Sequence, residues 1–515
     1  MRKRIILIGL LSLGLLAVLS FFIIRKINSP YFSVKCTTGQ KLEFMINNDN
    51  TVTLCGIINA KNCPQKMTIP DEVIYHRKHY SVTSINSDAL MECKILKTVV
   101  IPNSVISIGE YAFSKCENLT SISIPRSVTS IGENAFSECE HLVSIIVNKE
   151  NPVYDSRENC NAIIETATNT LIAGCGKSVI PTSVTAIGDY AFYYCKNLES
   201  ITIPNSIISI GNRAFMACEK LVSINIPDSV INIDEWAFFG CENLRSVNIP
   251  SSVSYIGDRA FARCNNLIAV TVDINNNVYD SRNNSNAIIE TASNELVAGV
   301  SSTVIPNSIV SIGDFAFFEC EDLKSVNIPS SVSFIGDRAF VGCKNLSSIT
   351  VDKNNSVYDS RDSCNAIIET YSNTLVVGCC NSMIPNTVTS IGDFAFGNCK
   401  HLESVNIPNS VKSIGSYAFY GCDALGSVII PCSVIFIGNC AFASCDNLTS
   451  IYISKSVASI DEDAFSSCDS LKSIIVDKDN FVYDSRNNCN AIIETATNIL
   501  ICKCANSKIP KGVHE

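Results

Sequence analysis

At 515 residues the chain is long enough for several ordinary domains, and with 46% hydrophobic and only 17% charged residues it has a globular composition. Its formal net charge of −10, with basic residues scattered apart from the flanks of the first segment, excludes a nucleic-acid partner, whose phosphates need clustered Lys and Arg.

Residues 1–30 read first as a membrane segment. Met1-Arg2-Lys3-Arg4 precedes an uncharged stretch from Ile5 to Ile24 that closes on Arg25-Lys26. At about 1.5 Å per residue such a stretch spans about 30 Å, the thickness of bilayer hydrocarbon. It ends in Ser20-Phe21-Phe22-Ile23-Ile24 without a small-x-small cleavage site, so it reads as an uncleaved signal anchor, with secretion after cleavage as the alternative. The basic bias ahead of it places the N-terminus in the cytoplasm and the chain beyond Arg25 outside. The expected location is therefore the cell surface, held by one N-terminal transmembrane helix.

Residues 31–80 differ from the rest of the chain and read as an N-terminal cap. Ile69-Pro70 opens a first repeat, but an insertion around His76-Arg77-Lys78-His79-Tyr80 separates it from Ser81-Val82, as expected of a terminal unit that must shield the end of a stack. His76 and His79 lie three apart with no carboxylate pair beside them in sequence, and they are not read as a metal site.

From 81 to 515 one phrase returns thirteen times, mostly at a 23-residue step. One copy runs from Ile101-Pro102 through Ile108-Gly109, Ala112-Phe113, Cys116, Leu119 and Ile122 to Ile124-Pro125. Such a period marks a solenoid, whose units are too small to bury their own apolar faces and stack on one another. In Ser121-Ile122-Ser123-Ile124 apolar and polar residues alternate, which predicts a short strand with one face inward, bordered by Pro125. Ala135-Phe136-x-x-Cys139-x-x-Leu142, with apolar residues three apart, predicts a helical turn packed on the strands. The predicted class is a β-rich α/β repeat solenoid of short strands and short helical turns.

Near 147–180, 272–305, 351–384 and 476–509 the step lengthens to 33 residues. There Val153-Tyr154-Asp155-Ser156-Arg157, then Asn161-Ala162-Ile163-Ile164-Glu165-Thr166 and Thr168-Asn169-Thr170-Leu171, replace the usual half-unit, and the two β-rich runs predict a hairpin. The recurring Asp-Ser-Arg could be an exposed recognition triplet or part of a Ca²⁺ site; its repetition favours a structural Asp–Arg pairing.

Thirteen of the 26 cysteines share one register, among them Cys116, Cys139, Cys241 and Cys264. Stacking would place them about 4.8 Å apart, and a ladder cannot bridge every neighbour, so they read as buried thiols. In the longer units Cys160 and Cys175, Cys364 and Cys379, and Cys489 and Cys504 lie fifteen apart, and the remaining copy loses both together, to Ser285 and Val300. Joint loss suggests disulfides Cys160–Cys175, Cys364–Cys379 and Cys489–Cys504; simple packing is the rival explanation.

The full phrase, with its Ile-Pro, Ser-Val-x-x-Ile-Gly, Ala-Phe-x-x-Cys and Leu-x-x-Ile-x-Ile elements, resembles the BspA-like leucine-rich repeat family of surface proteins over roughly residues 60 to 515. The resemblance implies a right-handed solenoid, a place on bacterial or protist cell surfaces, and adhesion to host proteins or other cells.

No nucleophile elbow, zincin motif or phosphate loop is present, and no catalytic residue, metal or cofactor is expected. The strand alternation instead defines an outward row that is mostly small and polar, flanked by serines, until it ends in Ile429, Tyr452 and Ile475. An apolar cluster on an otherwise hydrophilic sheet is a candidate partner-binding patch. The expectation is a non-enzymatic surface protein that binds proteins or glycans through an extended sheet. The alternatives are an envelope scaffold without a host ligand and, further off, a carbohydrate-active enzyme with acidic residues converging from distant repeats.

Overall fold

The computed structural model describes residues 30–36, 39–58, 63–461 and 463–514. The expected signal anchor at 1–30 lies outside the described residues apart from Pro30, and among those described no helix is long and apolar enough to cross a membrane. The chain divides at Leu198–Glu199 into two compact units.

In the first unit, Tyr31–Lys35, Lys41–Ile46 and Val52–Ile57 form an antiparallel meander. Its last strand pairs in parallel with Lys78–Ile85, which continues the same sheet to Ser107–Ile108 and Ser130–Ile131. Phe32, Leu42, Phe44 and Leu54 of the meander share one core with Val105, Phe113 and Leu119 of the coils. The meander and the first coils therefore bury their apolar side chains together. His76 and Arg77, both left-handed (φ 48° and 65°), turn Glu72–Tyr75 back onto Lys78–Ile85. Across this hairpin His79 Nδ1 lies 2.6 Å from Glu72 Oε1, and His76 packs on Tyr75.

Most regular coils contribute two strands to two different parallel sheets, although at 200–203, 223–226 and 404–407 the longer segment is not a strand. The longer one is the alternating Ser-Ile-x-Ile segment: Ser144–Val147 lies on Ser121–Ile124 in a register of 23, with Ile122, Ile124, Ile145 and Val147 buried. The shorter one is the Ser-Ile pair ahead of the Ile-Gly turn, as in Ser130 on Ser107. Equivalent side chains fall on one another because side-chain direction alternates along a strand, so any other register would turn the isoleucines to water.

The helical turn expected at Ala-Phe-x-x-Cys does not form, and with it the α/β character is lost. Among the described residues the helical elements are four three-residue 3₁₀ turns, at Arg157–Asn159, Arg282–Asn284, Arg361–Ser363 and Arg486–Asn488. The Ala-Phe segment is instead a chain of tight turns with left-handed residues before Ala and before Cys, such as Tyr111 (φ 52°) and Lys115 (φ 57°). Its N–H groups split two ways. Those of Ser114 and Cys116 close turns on Tyr111 and Phe113, while those of Tyr111, Phe113 and Lys115 donate to Glu133, Ala135 and Ser137 of the next coil at 2.8–3.1 Å. Half of the backbone is thus spent on stacking rather than on an α-helix. The spacing of three that predicted a helix serves successive three-residue turns equally well.

The second unit repeats this plan. Ser209–Ile210, Asn232–Ile233 and Tyr255–Ile256 stack in parallel, as do Ser427–Ile429, Ser450–Ile453 and Ser473–Val476. Its core carries rows of near-parallel phenylalanines: Phe396, Phe419, Phe442 and Phe465 follow one another at 5.0, 4.9 and 5.5 Å between ring centroids, tilted by 6–7°. Several register cysteines donate their S–H to the carbonyl of the previous coil's phenylalanine, as Cys422 to Phe396 and Cys445 to Phe419, each at 3.2 Å, while after a longer unit Cys195 and Cys399 donate to Gly174 and Gly378. They are free thiols, as the ladder spacing implied, and burial pushes Cys264 up to about 12.

Every longer unit holds the expected hairpin. In the first, Ile163–Glu165 pairs antiparallel with Tyr154–Asp155 and Thr170–Ala173, and the last of these takes the short strand's place beneath Ala186–Ile187. The hairpin has no Ala-Phe of its own, so the next coil's phenylalanine reaches over it. A Cβ on Gly174, Gly299 or Gly378 would stand 2.1–2.2 Å from Cε1 of Phe192, Phe317 or Phe396.

Candidate binding surface

The Asp-Ser-Arg triplet is internally satisfied. Arg157 donates from Nε and Nη2 to both Asp155 carboxylate oxygens at 2.7–3.0 Å, and from Nη1 to Asn169 Oδ1 at 3.0 Å in the hairpin turn. Arg282, Arg361 and Arg486 do the same in their units. The carboxylate is held in a clamp, which is the structural Asp–Arg pairing.

A neighbouring residue escaped the sequence reading. Asn276 is buried, donates from Nδ2 to Pro250 and Val253 carbonyls at 2.8 and 2.9 Å, and accepts from the Val278 and Tyr279 N–H groups. Asn151, Asn355 and Asn480 make the equivalent bonds. Tyr279 then accepts the Ile256 N–H at its hydroxyl, 3.1 Å away. The signal was present: each longer unit has Asn three residues before its Tyr.

The six cysteines of the longer units stand as free thiols here. Members of a pair lie around the same turn: Cys160 Sγ donates to Ala162 O at 3.7 Å and Cys175 Sγ to Asn161 O at 3.4 Å. In the copy without them, Ser285 Oγ is buried with no partner.

The outward row behaves differently along the second unit. Thr271 donates to Asn248 and Thr350 to Asn327, each at 2.9 Å, so these strand pairs show a closed polar ladder. On the last three strands Ile429 stands opposite Tyr452, and Tyr452 opposite Ile475. Ile429 is 71% and Ile475 54% exposed. The Tyr452 hydroxyl donates to Asp477 Oδ2 at 2.7 Å, which raises the tyrosine's pKa; Asp477 is held low first by the Asp479 N–H and then by this hydroxyl. The ring is thus fixed between two exposed isoleucines, with Phe481, 92% exposed, in the turn after the third strand. In the first unit Val100 and Ile146 are also exposed in this row, with Ser123 between them.

Among the described residues no group of three or more His, Cys, Asp or Glu is placed to hold a metal ion. What the geometry defines is a repeat protein that presents side chains on a stacked sheet. The family model for the BspA type leucine rich repeat region (six copies) matches residues 74–168, 174–290, 287–373 and 368–492, and the chain belongs to that family. Solved structures similar to it include a leucine rich cell surface protein from Faecalibacterium prausnitzii (24% identity, 86% of this chain and 94% of that one, TM-score 0.38). Others are a leucine-rich repeat protein from Bacteroides ovatus (26%, 85% and 98%, 0.35) and the pneumococcal vaccine antigen PcpA (18%, 87% and 89%, 0.35). Comparison with curated proteins returned no match.

Proposed function

We propose that this chain is a non-enzymatic cell-surface protein that adheres to proteins or glycans of a host or of other cells, through the outward sheet row at Ile429, Tyr452 and Ile475. The observation that carries this reading is the change in that row, from hydrogen-bonded Asn–Thr pairs to an exposed apolar run around a tyrosine held by Asp477. Covering each isoleucine with a partner contributes about 1.5–3 kcal/mol, and many weak contacts along a stacked sheet add through multivalency. Family membership supports the surface location, and the uncharged stretch from Ile5 to Ile24 supports anchoring through the N-terminal segment.

The test compares cells displaying the full chain with cells displaying Ile429→Asp/Tyr452→Asp. Adhesion to immobilised matrix proteins, glycans and other cells should fall at least about tenfold, as expected when an interface centre is charged. Unchanged adhesion by a folded variant removes the patch from the interface. Adhesion to nothing by the unaltered chain, with its repeats resistant to protease shaving of intact cells, favours the envelope scaffold.

A further inference from the structure

The register thiols of the first unit lean on the coil before them. Cys116 donates its S–H to the Leu90 carbonyl and Cys139 to the Phe113 carbonyl, each at 3.2 Å. Cys93 opens the register, and no Ala-Phe turn precedes it to supply such a carbonyl.

That place is taken by Cys63. It stands just ahead of Lys66–Thr68, the strand that pairs in parallel with Thr98–Val100 and so flanks the first coil as a preceding coil would. The Gln65 carbonyl accepts the N–H groups of Lys97 and Thr98 at 2.7 and 3.2 Å, which fixes the two segments against each other beside the cysteines. Cys63 is 3% and Cys93 2% exposed, both belong to one core, and their side chains share a hydrogen bond. In the longer units, by contrast, Cys160 and Cys175 donate to the Ala162 and Asn161 carbonyls and not to each other.

We propose that Cys63 and Cys93, free thiols in this structure, form a disulfide that locks the N-terminal end of the stack once the chain meets an oxidising compartment. The compartment rests on the cell-surface reading; the pairing rests on the packing of the two segments. Closure is an exchange with a low-molecular-weight disulfide. The Cys63 thiolate attacks one sulfur of that disulfide and releases its other half as a thiol, and the Cys93 thiolate then attacks the Cys63 sulfur and releases the second thiol. The two protein sulfurs are oxidised, the small disulfide is reduced, and the two thiol protons end on the released thiols. Because both cysteines are buried, the bond closes while the first coil is packing.

The loop so closed contains Lys66–Thr68, the hairpin of Glu72–Tyr75 and Lys78–Ile85, and the turn that reaches Cys93. A terminal unit of a repeat stack has a neighbour on one side only, so opening starts there. A cross-link restricts the unfolded ensemble of that unit, which then opens less often and offers less chain to proteases outside the cell.

The test refolds the full chain from urea in a mixture of reduced and oxidised glutathione and maps its peptides without reduction. A peptide joining Cys63 to Cys93 is expected in most chains, and amide exchange over residues 66–85 should be at least about tenfold slower than in the same chain treated with dithiothreitol. Cys63→Ser should abolish that difference and leave exchange over residues 209–256 as it was; Cys93→Ala makes the same comparison should Cys63→Ser fail to fold. Cys63 and Cys93 both open to alkylation after refolding, Cys63 joined to Cys116 or another thiol, or exchange over 66–85 indifferent to dithiothreitol would overturn the pairing. Closure in glutathione with free thiols in chain taken from cells would support the pairing and count against the surface location instead.

Discussion

Replacing Phe419 by alanine attacks the stack at its most tightly packed point. The ring is fully buried and lies between Phe396 at 5.0 Å and Phe442 at 4.9 Å, nearly parallel to both. A buried Phe→Ala change costs about 3–5 kcal/mol through lost transfer energy and the cavity left behind, and each ring pair adds about 0.5–1.5 kcal/mol beyond area. Phe419 should therefore sit near the top of that range. Phe465 has one stacked neighbour, Phe442 at 5.5 Å, so Phe465→Ala should cost about 1 kcal/mol less. With a urea dependence of about 3 kcal/mol/M, the Phe419→Ala midpoint falls by more than about 1 M. Because each coil is stabilised by its neighbours, the weakening should also be local. Amide exchange should speed up most at Phe396–Phe442 and little at Ser209–Ile256 in the same unit. A loss below about 1.5 kcal/mol, or acceleration spread evenly over the unit, would refute the reasoning.

The other expectations rest on separate contacts. Gly378→Ala places a methyl 2.2 Å from Phe396 Cε1 and should destabilise by about 1–3 kcal/mol in urea unfolding, whereas the same change at Gly426, which has open space around it, should cost less than about 1 kcal/mol. Asn276→Ala strips partners from two carbonyls and two N–H groups and should cost at least about 2 kcal/mol; a neutral result would remove the asparagine from the account of the longer units. The folded state keeps the Cys264 proton up to about 12, while the unfolded thiol loses it near 9.0. Its stabilising share is therefore full below pH 9 and falls between 9 and 12 by about 1.4 kcal/mol per pH unit, and Cys264→Ala should flatten the alkaline decline in unfolding midpoint by that amount. Although Cys160 and Cys175, Cys364 and Cys379, and Cys489 and Cys504 are free thiols in the structure, we propose that each pair oxidises outside the cell, so non-reducing peptide mapping of chain taken from the cell surface should join them. Native-state alkylation should reach the exposed Cys432 and spare the register thiols such as Cys422, and labelling of all six paired cysteines on unfolding without reductant would rule the bridges out.

The strands and hairpins were legible because alternation in Ser121–Ile124 and the paired β-rich runs around Asn169 state which side chains face inward. The cysteine register was legible for the same reason, since one position per coil can hold only one environment. The turn layer was not. A spacing of three between Phe113, Cys116 and Leu119 fits a helix and successive tight turns alike, and the choice is made by left-handed residues as varied as Tyr111 and Lys115. The apolar run at Ile429, Tyr452 and Ile475 could be placed from the sequence; the hydrogen bond that fixes the tyrosine on Asp477 could not.

The central claim is that residues 23 apart in sequence lie on one another across neighbouring strands. Nuclear Overhauser contacts in methyl- and aromatic-labelled chain read it directly at the candidate surface. The Tyr452 ring should show contacts to the side-chain methyls of both Ile429 and Ile475, while the two isoleucines, two strand spacings or about 9.6 Å apart, show none to each other. A tyrosine that contacts neither isoleucine, or isoleucines that contact each other directly, would contradict the stacking and the surface built on it.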